Sequence, residues 1–180
     1  MEEEKVHNPF KRSPIIPIDN VGDEHSYRPK KGVSKKILEV GTGTLLPKTP
    51  SIVKVIYKGY ITATKELFDT SNEQVVEITL GDKEYPEGFI AGVESMKKGE
   101  RSEIKMTRKY GFKEGLIPEK LKDKEVKGKG LTYEVKLIDA TIKMDLNGDR
   151  KIIKTVVKEG AIGEVPNEAD EVKGKYTNKN

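Results

Sequence analysis

Parts of the chain alternate apolar and polar side chains with a period of two, the pattern of a β-strand that buries one face. In the first such segment, Val53, Val55 and Tyr57 fall on the same face. The same alternation returns at residues 102–107 and 131–137. We therefore expect several antiparallel strands, with the Tyr57 ring directed into the core or into a cavity within it.

Between these strands, the spacing of apolar residues predicts one short helix. Pro86 can occupy its first turn, and Phe89, Val93 and Met96 lie on one face. Gly99 can take the left-handed position beyond its end. The expected fold class is therefore α+β and mainly β, an antiparallel twisted sheet wrapped around one short helix.

The residues around Asp69 allow two interpretations. Asp69 directly follows the apolar pair Leu67 and Phe68, and it precedes Thr70 and Ser71. If Asp69 is half buried, its charge must be stabilised by hydrogen bonds, or its pKa must shift. If Asp69 lies at a turn, its side chain only caps that turn. The local pattern by itself favours the turn.

Composition excludes several kinds of chemistry. The chain has no cysteine, which rules out disulfides, thiolate catalysis and zinc-thiolate sites. His7 and His25 are the only histidines and both lie near the N-terminus, so no serine triad or metallohydrolase is expected. The segment 145–149 resembles the opening of a calcium loop, but Val156 stands where the closing Glu is required. We expect neither a metal nor a cofactor.

The charge pattern argues against nucleic-acid and membrane partners. The net charge is +4, but positive and negative residues alternate along residues 119–127 without an aromatic platform. No apolar run approaches the ~20 residues that span a bilayer, and the acidic start is unlike a signal peptide. We expect a soluble, monomeric protein of the cytoplasm or nucleus.

A series of short motifs follows in order along residues 32–142. They are Tyr57-Lys58-Gly59, Phe68-Asp69-Thr70-Ser71, Leu80-Gly81, Gly88-Phe89, Gly92-Val93, Met96-Lys97-Lys98-Gly99-Glu100-Arg101, Tyr110-Gly111-Phe112, Ile117-Pro118 and Leu131-Thr132-Tyr133-Glu134-Val135. The ordered set resembles the FKBP-type peptidyl-prolyl cis-trans isomerases. The resemblance implies an FKBP-like fold and a role in protein folding of the co-chaperone type.

The chain then divides into three parts. Residues 1–31, with prolines among scattered charges, are expected to form an extended or disordered N-terminal arm. Its apolar run 15–18 could dock as an edge contact, but a loose tail is favoured. Residues 32–143 are expected to form the FKBP-like domain, and residues 144–180 a linker with the incomplete start of a second repeat.

The second repeat is inferred from residues that match at a constant offset of 119. Ile37-Leu38, Gly41, Pro47, Val53-Lys54 and Tyr57 correspond to Val156-Val157, Gly160, Pro166, Val172-Lys173 and Tyr176. Relatives with tandem copies often continue into a helical region that binds chaperones, so the chain resembles a piece of such a protein cut shortly after the second copy starts. Two unrelated β-like segments are the alternative.

The resemblance also implies a set of site residues. Tyr57, Asp69 and Phe112 would be catalytic, and the residues that bind substrate would be Phe68, Val76, Tyr85, Pro86, Phe89, Ile117 and Tyr133. Rotation about an X-Pro bond faces a barrier of ~20 kcal/mol, which an apolar pocket can lower without a covalent step. Phe89 would form the pocket floor, Phe68 and Tyr133 its walls, and Asp69 would favour the twisted carbonyl. Alternatively, Phe89, Val76 and Tyr133 are plain core residues.

Three departures from the family pattern predict weak activity. Phe112 replaces a Tyr whose hydroxyl donates to the bound carbonyl, and Pro86 has no backbone N–H to offer. Glu73 stands where an Arg usually supports the Asp, so Asp69 is expected to lack its cation. The long charged loop 113–130 could cover the pocket or bind a partner.

Two functions remain open at this point. The favoured one is a prolyl isomerase of reduced activity, and the alternative is a catalytically silent FKBP-like module that binds proteins. A purely structural spacer is less favoured. The partners implied are proline-containing peptide or protein segments, macrolide inhibitors, and a chaperone bound through parts of the parent protein outside this chain.

Overall fold

The structure is a computed structural model that describes residues 19–26, 32–113, 115–149 and 151–158. Within these residues one α-helix, α1 (Glu87–Val93), and two short 3-10 helices, Arg108–Tyr110 and Glu119–Leu121, are present. The strands are β1 (Glu24–Ser26), β2 (Val33–Glu39), β3 (Ile52–Ile61), β4 (Leu67–Thr70), β5 (Val76–Thr79), β6 (Arg101–Met106), β7 (Leu131–Thr141), β8 (Lys143–Asp145) and β9 (Ile153–Thr155).

Seven of these strands form one antiparallel sheet in the order β1-β2-β6-β7-β3-β4, with β5 also paired to β3. The central strand β3 pairs with β7 from Ile52 opposite Thr141 to Ile61 opposite Leu131. On its other edge, β3 pairs with β5 near its start and with β4 near its end. The predicted antiparallel sheet with one short helix is confirmed.

The core lies between the sheet and α1, which packs over β2, β6 and β7. Val55, Phe89 and Val135 are each 0% exposed, so the alternating residues of β3 and β7 meet the apolar face of the helix. A Cβ atom added at Gly92 would lie 2.5 Å from Cδ1 of Ile104. The glycine therefore allows α1 to approach β6 more closely than any other residue could.

The helix is shorter than the sequence predicted. It ends at Val93, and the next backbone hydrogen bonds run from Ser95 N–H to the Gly92 carbonyl and from Met96 N–H to the Val93 carbonyl. The Ser95 hydroxyl also donates to the Gly92 carbonyl at 2.6 Å. These bonds occupy the carbonyls that another helical turn would need. Met96 is nevertheless 0% exposed, as its apolar spacing predicts.

An ion pair is buried just beyond the end of α1. Lys35 of β2 points inward, and its ammonium lies 2.6 Å from Oε1 of Glu100, with the two residues 3% and 1% exposed. Lys35 also donates to the Ser95 carbonyl at 2.9 Å. Glu100 accepts from the Ser102 hydroxyl at 2.7 Å and from the Lys97 N–H at 2.9 Å. Both buried charges therefore have hydrogen-bond partners.

The terminal segments are described only in part. Within the predicted N-terminal arm, Glu24–Ser26 pairs with β2, and Asp19 lies 3.0 Å from the Lys97 ammonium. The run 15–18 lies outside the described residues. At the other end β8 and β9 form a hairpin, and most of the predicted second repeat lies beyond it, outside the described residues. The division into three parts stays a prediction.

In the described segments, no helix combines the length and apolar character that a membrane crossing requires.

Candidate active site

The antiparallel pairing of β3 with its neighbours brings distant aromatic residues together. Gly59 of β3 lies opposite both Asp69 of β4 and Tyr133 of β7. A Cβ atom at Gly59 would stand 2.8 Å from the Tyr133 ring and 3.1 Å from the Phe68 ring. Glycine at this position therefore lets both rings lie across β3.

The aromatic rings form one contact cluster centred on Phe89 of α1. Its ring centroid lies 4.9 Å from that of Tyr133, 5.8 Å from Tyr57 and 5.2 Å from Tyr85. The remaining contacts are Phe68 with Tyr133 at 5.6 Å, Phe68 with Phe112 at 6.4 Å, Tyr57 with Tyr133 at 5.9 Å and Tyr57 with Tyr85 at 6.1 Å. Most of these pairs meet edge to face, an arrangement that aromatic rings favour.

The open hollow expected between these rings is closed in the structure. Phe89 and Tyr133 are both 0% exposed and Tyr57 is 3% exposed, so no space for a water molecule adjoins the Phe89 ring. The half-buried Tyr85 covers it, stacked on Phe89 with an angle of 22° between the rings. The predicted pocket over Phe89 is therefore not open in this structure, because the Tyr85 ring fills it.

A cavity of about 330 Å³ adjoins the closed cluster between the outer face of α1 and the segment after β6. Tyr85, Pro86 and Phe112, three of the predicted site residues, line it. It also has lining residues that sequence reasoning missed, among them Ile90, Leu116 and Thr49. Ile90 follows Phe89 directly, and the helical period alone would place it on a neighbouring face.

The other apolar residues of the predicted site belong to the hydrophobic core or pack against it. Val76 and Ile117 are partly buried and pack against the apolar core that contains Tyr57, Phe68 and Tyr133. Tyr85 therefore separates an inner group of rings from the outer cavity. The predicted rings are thus in mutual contact, although the inner rings are not accessible in the closed arrangement.

Asp69 is a buried carboxylate rather than a turn residue. It lies within β4 and is 7% exposed, so the interpretation favoured by the local pattern was wrong. The Lys120 ammonium lies 2.9 Å from its Oδ1. The Tyr57 hydroxyl donates a hydrogen bond to Asp69 and accepts one from Tyr85.

The expectation that Asp69 lacks a cation is corrected by this contact with Lys120. Glu73 cannot support Asp69 and pairs with Lys58 instead, at 3.0 Å. The replacement cation comes from the long charged loop 113–130, which folds back over β4. Because the Lys120 side chain is 58% exposed, it can leave Asp69 at little cost in buried contacts.

Three tyrosine hydroxyls share this environment, those of the buried Tyr57 and Tyr133 and of the half-buried Tyr85. Burial, followed by the negative charge of Asp69, raises the pKa of Tyr57 to about 12. Burial first and the neighbouring Tyr57 second raise the pKa of Tyr85. Burial and then the charge of Asp69 raise the pKa of Tyr133 well above its ordinary value. All three hydroxyls therefore stay protonated at neutral pH and can donate hydrogen bonds.

The Tyr133 hydroxyl differs from the other two. Among the described residues it has no hydrogen-bond partner, although it is fully buried. Its ring passes over Gly59, and the charge of Asp69 acts on it. The site therefore holds one satisfied phenol network, Tyr85 to Tyr57 to Asp69, and one unpaired donor.

Comparison with known proteins agrees with this architecture. The family model described as FKBP-type peptidyl-prolyl cis-trans isomerase matches residues 43–138. FK506-binding protein 5 of Rhizopus delemar is 31% identical over 116 residues, which make up 61% of this chain and 28% of that protein. Peptidyl-prolyl cis-trans isomerase PASTICCINO1 of Arabidopsis thaliana is 29% identical over 135 residues, 75% of this chain and 20% of that protein.

Solved structures show the same fold. The three FKBP domains of wheat FKBP73 superpose with a TM-score of 0.55 at 28% identity, covering 76% of this chain and 56% of that one. The chain spans only between a fifth and a third of the length of the two relatives above. Because the family model covers more than half of the 180 residues and includes β3 and most of β7, the chain belongs to the FKBP-type peptidyl-prolyl cis-trans isomerase family.

Proposed function

We propose that this chain isomerises X-Pro bonds in exposed segments of other proteins, at a reduced rate. The observation that supports this function is the group of rings from β3, β4, α1 and β7 gathered around the buried carboxylate of Asp69. An apolar surround favours the less dipolar twisted amide, and a fixed carboxylate can act on the charge that changes during rotation. The reaction needs no metal and no covalent intermediate.

Binding of a proline requires Tyr85 to leave the Phe89 ring. The space into which the Tyr85 side chain can turn is the adjoining cavity of about 330 Å³, which Tyr85 itself lines. The stacked ring and the hydrogen bond to Tyr57 both oppose this movement. The closed arrangement is thus a physical reason to expect weak activity.

A cis-trans assay on a tetrapeptide with leucine before proline tests the function. We expect a rate above buffer, and Asp69→Asn should lower it about tenfold, because the variant keeps the size of the side chain but loses its charge. Pro86→Ile combined with Phe112→Tyr should raise the rate, because it restores a backbone donor and a hydroxyl. A wild-type rate equal to buffer would exclude the isomerase and favour the binding module.

The closed site gives a second prediction. Tyr85→Val should increase kcat/KM about tenfold, because valine can neither stack on Phe89 nor bond to Tyr57, contacts together worth ~1–2 kcal/mol. The matched control is Tyr60→Val, a tyrosine of β3 that has no part in the ring cluster. An unchanged kcat/KM in Tyr85→Val would contradict the role of Tyr85 as a barrier to binding.

A catalytically silent binding module is the second candidate, because two side chains of the protein itself occupy the positions that a substrate would need. Tyr85 covers Phe89, and Lys120 is paired with Asp69. In that case, partners would bind through the surface of the loop 113–130 and the outer cavity. Macrolides would need the same opened site and, with Pro86 and Phe112 present, would bind weakly. A chaperone partner, a cytoplasmic or nuclear location and the tandem second copy stay predictions.

A further inference from the structure

The hydroxyl of Tyr133 has no evident structural purpose in the closed protein. It is fully buried, and within the described part of the chain no group accepts its hydrogen. An unpaired buried hydroxyl carries the full cost of its lost hydration, a cost that phenylalanine at the same position would avoid. No water can satisfy it, because the residue leaves no room for a water-sized sphere.

The surroundings fix this hydroxyl inside the candidate site. The Tyr133 ring is held between Phe89 at 4.9 Å and Phe68 at 5.6 Å, over the backbone of Gly59. Its donor hydrogen is retained at neutral pH because burial raises the pKa of Tyr133. It is therefore a fixed donor that the charge of Asp69 reaches, and a substrate can meet it only when the closed ring cluster opens.

We propose that Tyr133 donates this hydrogen bond to a backbone carbonyl of the bound proline segment and so replaces the hydroxyl that Phe112 lacks. The proposal rests on the proposed function and assigns the donor that orients the substrate. The acceptor is a carbonyl other than that of the rotating bond, because a hydrogen bond to that oxygen would strengthen the amide resonance. The bond is then the same in the ground state and in the twisted state, so it contributes to binding rather than to the rate of rotation.

The test is Tyr133→Phe, which removes one oxygen atom and nothing else. The dissociation constant of a fluorescent peptide with leucine before proline should rise about fivefold, the value of one neutral hydrogen bond. In the isomerase assay KM should rise by the same factor while kcat is unchanged. Adding Phe112→Tyr to Tyr133→Phe should restore peptide affinity, since a hydroxyl returns on the other ring that contacts Phe68.

The same variant should be more stable than the wild type, with a higher urea midpoint, because an unsatisfied buried group has been removed. Tyr57→Phe is the matched control: its hydroxyl is bonded to Asp69 and Tyr85, so its loss should lower the midpoint. A merely structural hydroxyl at Tyr133 would behave as Tyr57 does. A lower midpoint, or an unchanged dissociation constant while the wild type binds, overturns the proposal.

Failure of the proposed function is a different outcome. If the wild type binds the peptide without isomerising it, the dissociation constants still decide the role of Tyr133, and the protein is the binding module. If neither the wild type nor any variant binds the peptide, both proposals fall.

Discussion

Replacing Glu100 by alanine is expected to lower the free energy of unfolding by about 3–5 kcal/mol. The Lys35 ammonium, which is 3% exposed and lies 2.6 Å from Glu100, would be left buried with only the Ser95 carbonyl as a partner. The hydroxyl of Ser102 and the N–H of Lys97 would also lose their acceptor. Urea unfolding followed by circular dichroism measures the difference.

Two controls separate burial from charge. Asp139→Ala removes the carboxylate of an exposed pair, Lys98 with Asp139 at 2.8 Å, and should cost no more than ~1 kcal/mol. Lys35→Met combined with Glu100→Gln removes both charges and keeps an acceptor for the Lys97 N–H, so most of the loss should be recovered. Equal losses for Glu100→Ala and Asp139→Ala would show that the buried pair is not the cause.

The buried pair also bears on the active site. Lys35 and Glu100 tie the segment that follows α1 to β2 and β6, through the Ser95 carbonyl and the Lys97 N–H. Phe89, the centre of the ring cluster, lies on α1. Glu100→Ala should therefore weaken peptide binding as well as stability, although neither Glu100 nor Lys35 belongs to the ring cluster.

The sequence could predict the strands and the residues on their inner faces, because the period of two is a local property that burial then confirms. Val53, Val55 and Tyr57 alternate in the sequence and are all buried in β3. The ordered motifs supplied the antiparallel fold around α1, since a pattern that covers most of a domain specifies topology as well as elements.

The contacts that close the site could not be predicted in the same way. Lys120 lies in a loop of alternating charge, where any of several lysines could have reached Asp69, and no periodicity selects one of them. Tyr85 precedes a helix cap, so the sequence does not say whether its ring turns toward Phe89 or toward solvent. The Lys120 contact joins segments that are distant in sequence, and the Tyr85 ring, although only four residues from Phe89, also packs against Tyr57 of the distant strand β3.

Replacing Phe89 by alanine is expected to cost about 3–5 kcal/mol of stability and to abolish peptide binding. The side chain is 0% exposed and three rings lie within 5.8 Å of it, so its removal leaves a cavity that rigid neighbours fill only in part. Of these three rings only Tyr85 is half buried, and its partial movement into the gap should keep the loss of stability near the lower end of this range.

Phe89→Leu, which keeps much of the apolar volume, should cost far less stability. Because an apolar cavity of this kind takes up benzene, benzene should raise the urea midpoint of Phe89→Ala and leave that of the wild type unchanged. Equal stability of the alanine and leucine variants would mean that Phe89 does not support the surrounding rings.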